Sequence, residues 1–173
     1  MESVLLPVAA IAVVALALVA RRMRVRHDRR TPRSRLSFVE PRRDPYPGDF
    51  TGTVAVEYNP RKDGTPDPGE VVWTWVPFEE DHSRGKDRPV LIIGRDGKWL
   101  LGLQLTSKDH DRDAVDEARW GRRWMDIGTG RWDSKGRPSE VRLDRVVRIN
   151  PAAVRREGAT LDKKLYRSVT ESL

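Results

Sequence analysis

The sequence contains no cysteine, so disulfide bonds, thiolate metal sites and cysteine nucleophiles are all excluded. Histidine is scarce as well, and His27, His82 and His110 are too few and too scattered to indicate a zinc site. We therefore expect neither a metal nor a cofactor. A length of 173 residues is enough for one globular domain with appendages.

The formal net charge of +7 is unevenly distributed along the chain. Residues 21–43 contain ten arginines against Asp28 and Glu40, a local charge of +8. Residues 69–173 contain 21 Lys and Arg against 18 Asp and Glu, which leaves only +3. The basic character of the whole chain therefore reflects mainly the segment after residue 20, and it is no evidence that the folded part binds nucleic acid.

Residues 4–20 form an uncharged, mostly aliphatic run that only Pro7 interrupts. As a helix it would reach about 26 Å, close to the hydrocarbon thickness of a bilayer. Its positive charge follows the run, whereas a cleaved signal peptide carries positive charge before it. We therefore expect an uncleaved transmembrane helix in the cell membrane rather than a removed signal, with the N-terminus outside and the rest of the chain in the cytoplasm. The basic juxtamembrane segment 21–43 is expected to contact anionic lipid headgroups, with RNA as the alternative.

Residues 44–68 have the Pro-, Asp- and Gly-rich composition of a linker, in which TVAVEY (53–58) could form an edge strand. From Gly69 onward the pattern changes to short apolar runs separated by turn residues. Strands are predicted at residues 70–76, 90–93, 98–106, 124–128 and 140–149. The pattern is typical of a mainly β fold with a small barrel.

Two local signals complete the predicted elements. Asp96 and Gly97 indicate a hairpin turn in which both supply positive φ values. The four-residue spacing of Leu161, Leu165 and Val169 predicts an amphipathic C-terminal helix, with Thr160 as its N-cap.

Four segments, in their order along the chain, resemble the MazF/PemK family of toxin endoribonucleases of type II toxin–antitoxin systems. They are GEVVW (69–73), RPVLII (88–93), LQLTSK (103–108) and VRLDRVVRINP (141–151), and the resemblance covers residues 69–173. It implies an SH3-like β-barrel with a C-terminal α-helix, a homodimer and a cognate antitoxin. It also implies metal-independent cleavage of single-stranded RNA, in which the ribose 2′-OH attacks phosphorus and leaves a 2′,3′-cyclic phosphate and a 5′-OH.

The resemblance and the chemistry of phosphate together indicate the candidate catalytic residues. Asp144 is expected to accept the 2′-OH proton and His82 to protonate the leaving oxygen, because histidine titrates near neutrality. Arg88 and Arg142 are expected to clamp the phosphate rather than donate protons, since a guanidinium is a very weak acid. Thr106 offers a hydroxyl to the same phosphate.

Lys86, Ser107 and Lys108 are expected to bind the substrate. Other interpretations remain open: an Arg142–Asp144 pair can be a surface salt bridge, and His110 with the nearby tryptophans is interpreted as loop and packing. Two further functions also remain open. One is inhibition of gyrase, as in the related toxin CcdB, and the other is an inactive membrane-tethered module that binds RNA or protein. The charged insertion after Ser107 keeps the last of these open.

Overall fold

The computed structural model describes residues 45–110 and 114–173. Their elements are β1 (Glu70–Pro77), β2 (Gly85–Asp96), β3 (Trp99–Thr106), α1 (Ala114–Arg119), β4 (Trp124–Gly128), β5 (Ser139–Ile149), β6 (Arg156–Thr160) and α2 (Lys163–Thr170). A short 3-10 turn, Pro151–Ala153, joins β5 to β6. Neither helix in these described residues has the length and hydrophobicity of a membrane-spanning segment. The predicted transmembrane helix (4–20) and basic segment (21–43) lie outside them.

The six strands form one antiparallel sheet in the order β4-β5-β3-β2-β1-β6. The sheet curls, so that β1 and β5 approach each other although β2 and β3 lie between them. In the described part of the chain β4 and β6 are the two edges, which makes the sheet a half-barrel. The predicted mainly β fold with a C-terminal helix is confirmed.

The alternation of side chains along each strand gives the sheet two apolar faces. On β2, Leu91 and Ile93 join the cluster that contains Tyr166 and Val169 of α2, and we call this side the helix face. Val90 and Ile92 point the other way and join a second cluster drawn from β1, β3 and β5. The core residues of both clusters are almost completely buried, and each contributes about 1.5–3 kcal/mol of burial free energy.

The predicted edge strand at 53–58 does not form. This segment instead makes isolated contacts with the sheet: the N–H of Glu57 donates to the Ile93 carbonyl (3.1 Å), and the Tyr58 hydroxyl donates to the Leu161 carbonyl (2.9 Å). Phe50, upstream, forms a single antiparallel bridge with Val146. A regular ladder is absent because β2 is already paired on both sides, with β1 and β3. Glu57 bonds to β2 at the point where the register between β2 and β3 shifts.

Strand β2 begins at Gly85, five residues before the predicted start, because residues 85–89 pair with residues 73–77 of β1. The polar run before Pro89 is therefore mostly strand rather than loop. The hairpin from β2 to β3 also differs from the prediction. Asp96 pairs with Trp99, and positive φ occurs at Gly97 (57°) but at no described residue other than glycine.

The N-cap of α2 is Asp162, and not Thr160 as predicted. The Asp162 carboxylate accepts hydrogen bonds from the N–H groups of Lys164 (2.9 Å) and Leu165 (3.2 Å). Thr160 is the last residue of β6, where it pairs with Glu70. Sequence reasoning missed β6 because REGAT (156–160) carries no strand pattern; the segment is a strand because it pairs with the free edge of β1.

Candidate functional site

A polar cavity of about 360 Å³ opens where the face opposite the helix changes from apolar to charged. Arg88 lies two residues before the buried Val90 on β2, and Gln104 pairs with Val90 from β3, so both side chains continue that face. Thr106, at the end of β3, lines the same cavity. Its cationic lining residues are Arg88, Lys108, Arg122, Arg142 and Arg145. We call it the arginine cavity.

A bulge in β5 aims two of these arginines into the cavity. Leu105 pairs with Val141 and Leu103 pairs with Val146, so residues 142–145 lie opposite Gln104 alone. In a regular strand Arg142 and Arg145, three residues apart, would point to opposite faces. The bulge brings both to the cavity, as bulges do where a strand must redirect a side chain.

Arg142 is held by two carboxylates. Its guanidinium donates to both oxygens of Asp144, with the shortest contact at 2.7 Å, and pairs with Glu79 at 2.9 Å. Burial alone would lower the pKa of Arg142, but the hydrogen bonds to these carboxylates raise it. Arg142 is therefore a fixed and permanent positive charge.

The carboxylate of Asp144 is likewise held in place by hydrogen bonds. Besides Arg142, the backbone N–H of Arg123 donates to its carboxylate at 2.7 Å. Burial alone would raise the pKa of Asp144, but the hydrogen bonds from Arg142 and Arg123 lower it below its ordinary value. Asp144 is thus a weaker base than a free aspartate.

Arg88 differs from its two neighbours. Within the described residues its side chain has no hydrogen bond and no carboxylate partner, although it is only partly exposed. Burial lowers the pKa of Arg88, and the positive charges of Arg145 and Arg142 lower it further. Three guanidinium groups converge here, and one of them lacks a counter-charge in the described part of the chain. Such an arrangement favours an anion with several oxygens.

Arg145 is paired with the segment that precedes the sheet. Its guanidinium donates to both oxygens of Asp49, at 2.7 and 3.1 Å. Asp49 also accepts from the hydroxyl of Tyr46, whose ring packs edge-on against His82 at 4.9 Å. Burial would raise the pKa of Asp49, but its bonds to Arg145 and Tyr46 lower it. Asp49 therefore neutralises one cation of the cavity.

His110, which lines the cavity, forms a second buried group with Glu140. Nδ1 of His110 lies 2.7 Å from one carboxylate oxygen of Glu140, and the backbone N–H of His110 donates to the other at 2.8 Å. The imidazole stacks on Trp124 with ring centroids 4.0 Å apart and planes inclined by 3°. The interpretation of His110 as a loop and packing residue is confirmed, but its contact with Glu140 was not predicted.

The arginine cavity brings together Arg88, Thr106, Lys108 and Arg142 of the residues predicted from sequence. Asp144 reaches it through Arg142. Three other predicted residues lie within the described part of the chain but do not line the cavity: His82, Lys86 and Ser107.

Sequence reasoning missed three residues of the site. Arg145 was missed because strict alternation places it on the wrong face. His110 and Glu140 were missed because 30 residues separate them, and no periodic signal links a charged insertion to a strand.

A larger groove of about 800 Å³ lies elsewhere, between the 129–132 loop and the start of α2. Ile127, Leu161 and Leu165 supply much of its wall, together with charges of both signs. It lacks convergent arginines among the described residues, so its chemistry is less specific than that of the arginine cavity.

The family model for PemK-like, MazF-like toxins of type II toxin–antitoxin systems matches residues 67–173, which is more than half of the chain. No curated protein matches the chain.

Proposed function

Because the chain belongs to the family of PemK-like, MazF-like toxins of type II toxin–antitoxin systems, we propose that it is an endoribonuclease that cuts single-stranded RNA. The ribose 2′-OH attacks the adjacent phosphorus, the bond from phosphorus to the 5′-oxygen breaks, and the products carry a 2′,3′-cyclic phosphate and a 5′-OH. The reaction needs no metal. The observation that supports this proposal most directly is the arginine cavity, where Arg88 lacks a carboxylate partner among the described residues.

In this reaction charge accumulates on the non-bridging oxygens of the five-coordinate phosphorus. Arg88 and Arg142 bind these oxygens, and their fixed positions mean that little reorganisation is needed as the charge develops. Thr106 donates a hydrogen bond to the same phosphate. Asp144 and Glu79 orient Arg142 through their ion pairs, while Lys108 contacts the RNA backbone at the cavity rim.

Partners follow from the same family. An antitoxin restrains the nuclease, and the active form is a homodimer.

Residues 4–20 anchor the protein in the cell membrane, with the N-terminus outside and the nuclease in the cytoplasm. Since the chain has no cysteine, single introduced cysteines test this topology cleanly: Ser3→Cys should react with an impermeant maleimide on intact cells, and Ser134→Cys only after lysis. The reverse labelling would refute the orientation.

The nuclease itself is tested with the full chain in mild detergent, a long single-stranded RNA and EDTA. We expect cleavage at a few sites with 5′-OH ends. Arg88→Ala should lower kcat/KM by about 10²–10³-fold, the usual effect of removing one donor to a developing oxyanion. Arg167→Ala is the matched control, because Arg167 is exposed on α2, and it should cleave normally.

A folded protein that binds RNA without cutting it would support the inactive binding module instead. Gyrase inhibition that is insensitive to Arg88→Ala would support the CcdB-like alternative. Cleavage that disappears in EDTA and returns with added Mg²⁺ would refute the metal-independent mechanism.

A further inference from the structure

His110 lines the arginine cavity, and its pair with Glu140 takes no part in the function described so far. Both side chains are more than nine-tenths buried. Glu140 holds the histidine twice, through Nδ1 and through the backbone N–H, and Trp124 covers one face of the ring. The imidazole is therefore held in one orientation.

This orientation leaves one ring nitrogen available. With Nδ1 committed to the carboxylate, the Nδ1–H tautomer is favoured and Nε2 carries the lone pair. In the described part of the chain Nε2 has no hydrogen-bond partner. His110 lines the same cavity as Arg88 and Arg142, in which the phosphate is proposed to bind.

The two groups expected from sequence to transfer protons are less suited to that task. The carboxylate of Asp144 already accepts three hydrogen bonds from Arg142 and one from Arg123. His82 packs against Tyr46 and is absent from the residues that line the cavity. The reaction requires a base, and a histidine oriented by a carboxylate is the most common one in proteins.

We propose that His110 is the general base of RNA cleavage and that Glu140 positions it; this rests on the proposed ribonuclease function. Nε2 of neutral His110 takes the proton of the 2′-OH while the bond from O2′ to phosphorus forms. The bond from phosphorus to the 5′-oxygen breaks, and the leaving oxygen receives a proton from water. The imidazolium that results is stabilised by the Glu140 carboxylate and later returns its proton to solvent.

The surroundings of His110 contain charges of both signs. Three carboxylates face it from three elements: Glu140 on β5, Glu117 on α1 and Asp126 on β4. The cations around it are Lys108 before it, Arg122 after α1 and Arg142 on β5. Any measured pH dependence therefore has to be assigned by substitution.

The test is the pH dependence of kcat/KM for the full chain on a short RNA, with His110→Gln, Glu140→Gln and the Arg167→Ala control. The wild type should lose activity with unit slope on the acidic side. His110→Gln should lower kcat/KM by about 10²–10⁴-fold and abolish that acidic limb. Glu140→Gln should retain the limb but move it to lower pH, because a negative charge beside the imidazolium has been removed.

Binding and leaving-group controls separate the base from other roles. His110→Gln should bind a 2′-deoxy oligonucleotide as tightly as the wild type does. It should stay slow on RNA with a 5′-bridging sulfur, since a better leaving group compensates for a lost acid but not for a lost base. Rescue by the sulfur would overturn the assignment of His110 as base.

Failure of the two proposals can be told apart. If the wild type cleaves RNA and His110→Gln keeps both its rate and its acidic limb, only the role of His110 is overturned. If the wild type binds RNA but cleaves none at any pH, the nuclease function itself fails, and the role of His110 with it. If His110→Gln does not fold, the test depends on Glu140→Gln. If the acidic limb of Glu140→Gln lies at the same pH as that of the wild type, the proposed roles of His110 and Glu140 are both overturned.

Discussion

Replacing Asp49 by asparagine should weaken the fold and strengthen RNA binding at the same time. Arg145 is only 5% exposed and Asp49 23% exposed, so the pair is largely shielded from water. Removing one partner of a buried pair costs about 3–5 kcal/mol. Because Asp49 keeps some contact with water, we expect a loss of about 2–3 kcal/mol in the free energy of unfolding. This corresponds to a fall in Tm of roughly 4–12 °C.

The effect on binding has the opposite sign. Without Asp49 the guanidinium of Arg145 is free to bind phosphate in the arginine cavity. One additional phosphate contact to a single strand should steepen the slope of log K against log salt by about 0.7. The affinity for a 2′-deoxy oligonucleotide should rise at low salt by roughly threefold to tenfold, equivalent to about 0.6–1.4 kcal/mol.

Two assays test this prediction: urea denaturation, followed by tryptophan fluorescence, and fluorescence anisotropy across a salt series. Asp63→Asn is the matched control, because Asp63 is 45% exposed and lies 4.0 Å from Arg61; its stability should change by less than about 0.5 kcal/mol. If Asp49→Asn lowers the free energy of unfolding by no more than Asp63→Asn does, the Arg145–Asp49 pair is not shielded from water and the reasoning is refuted. Lost stability with an unchanged salt slope would show that Arg145 does not reach phosphate.

Three further predictions concern the fold. Asp162→Ala should cost about 1 kcal/mol in urea denaturation through loss of the α2 cap, whereas Thr160→Ala should change little; equal losses would contradict the assignment of the cap. Gly102→Ala should lower stability by about 1–3 kcal/mol, because a Cβ there would lie 2.5 Å from a valine methyl on β2, and an unchanged Tm would disprove the close packing. The pKa values of Asp49 and Asp144 lie below the ordinary 3.8 in the folded state. The two carboxylates therefore stabilise the fold above that pH, and this contribution is lost as the pH falls through their lower folded pKa values. Unfolding free energy should therefore decrease below about pH 4, and less steeply in Asp144→Asn, which calorimetry across a pH series would check.

The sequence predicted the strands whose own residues determine them. The bounds of β4 coincide with the prediction, and those of β1, β3 and β5 differ by one residue at one end, because β-branched and aromatic runs there are bounded by turn residues. Elements that depend on a partner strand were not predictable. The first half of β2 is polar and becomes a strand only through β1, and β6 carries no pattern of its own.

The residues of the site likewise divide into those that the sequence predicted and those that it did not. Thr106 ends β3, and Arg88 directly precedes the apolar run of β2 that the sequence marks clearly; both line the arginine cavity. His82 was expected to be the acid because histidine titrates near neutrality, but the structure places its ring against Tyr46. His110 lies 30 residues from its partner Glu140 along the chain, and short-range patterns do not encode such a contact.

The bulge in β5 restricts how the length of this strand can change in evolution. Between its pairs with Leu105 and Leu103, β5 spans five residue steps, from Val141 to Val146, while β3 spans two. Regular alternation over five steps would put the two valines on opposite faces, so the bulge is what keeps both on the helix face. Loss of one residue between Arg142 and Arg145, together with the bulge, would leave both valines on that face, whereas loss or gain of one residue in a regular part of β5 would turn every later side chain to the opposite face. Variants that differ by a single residue should therefore survive when the change falls at the bulge and not when it falls in the regular ladder.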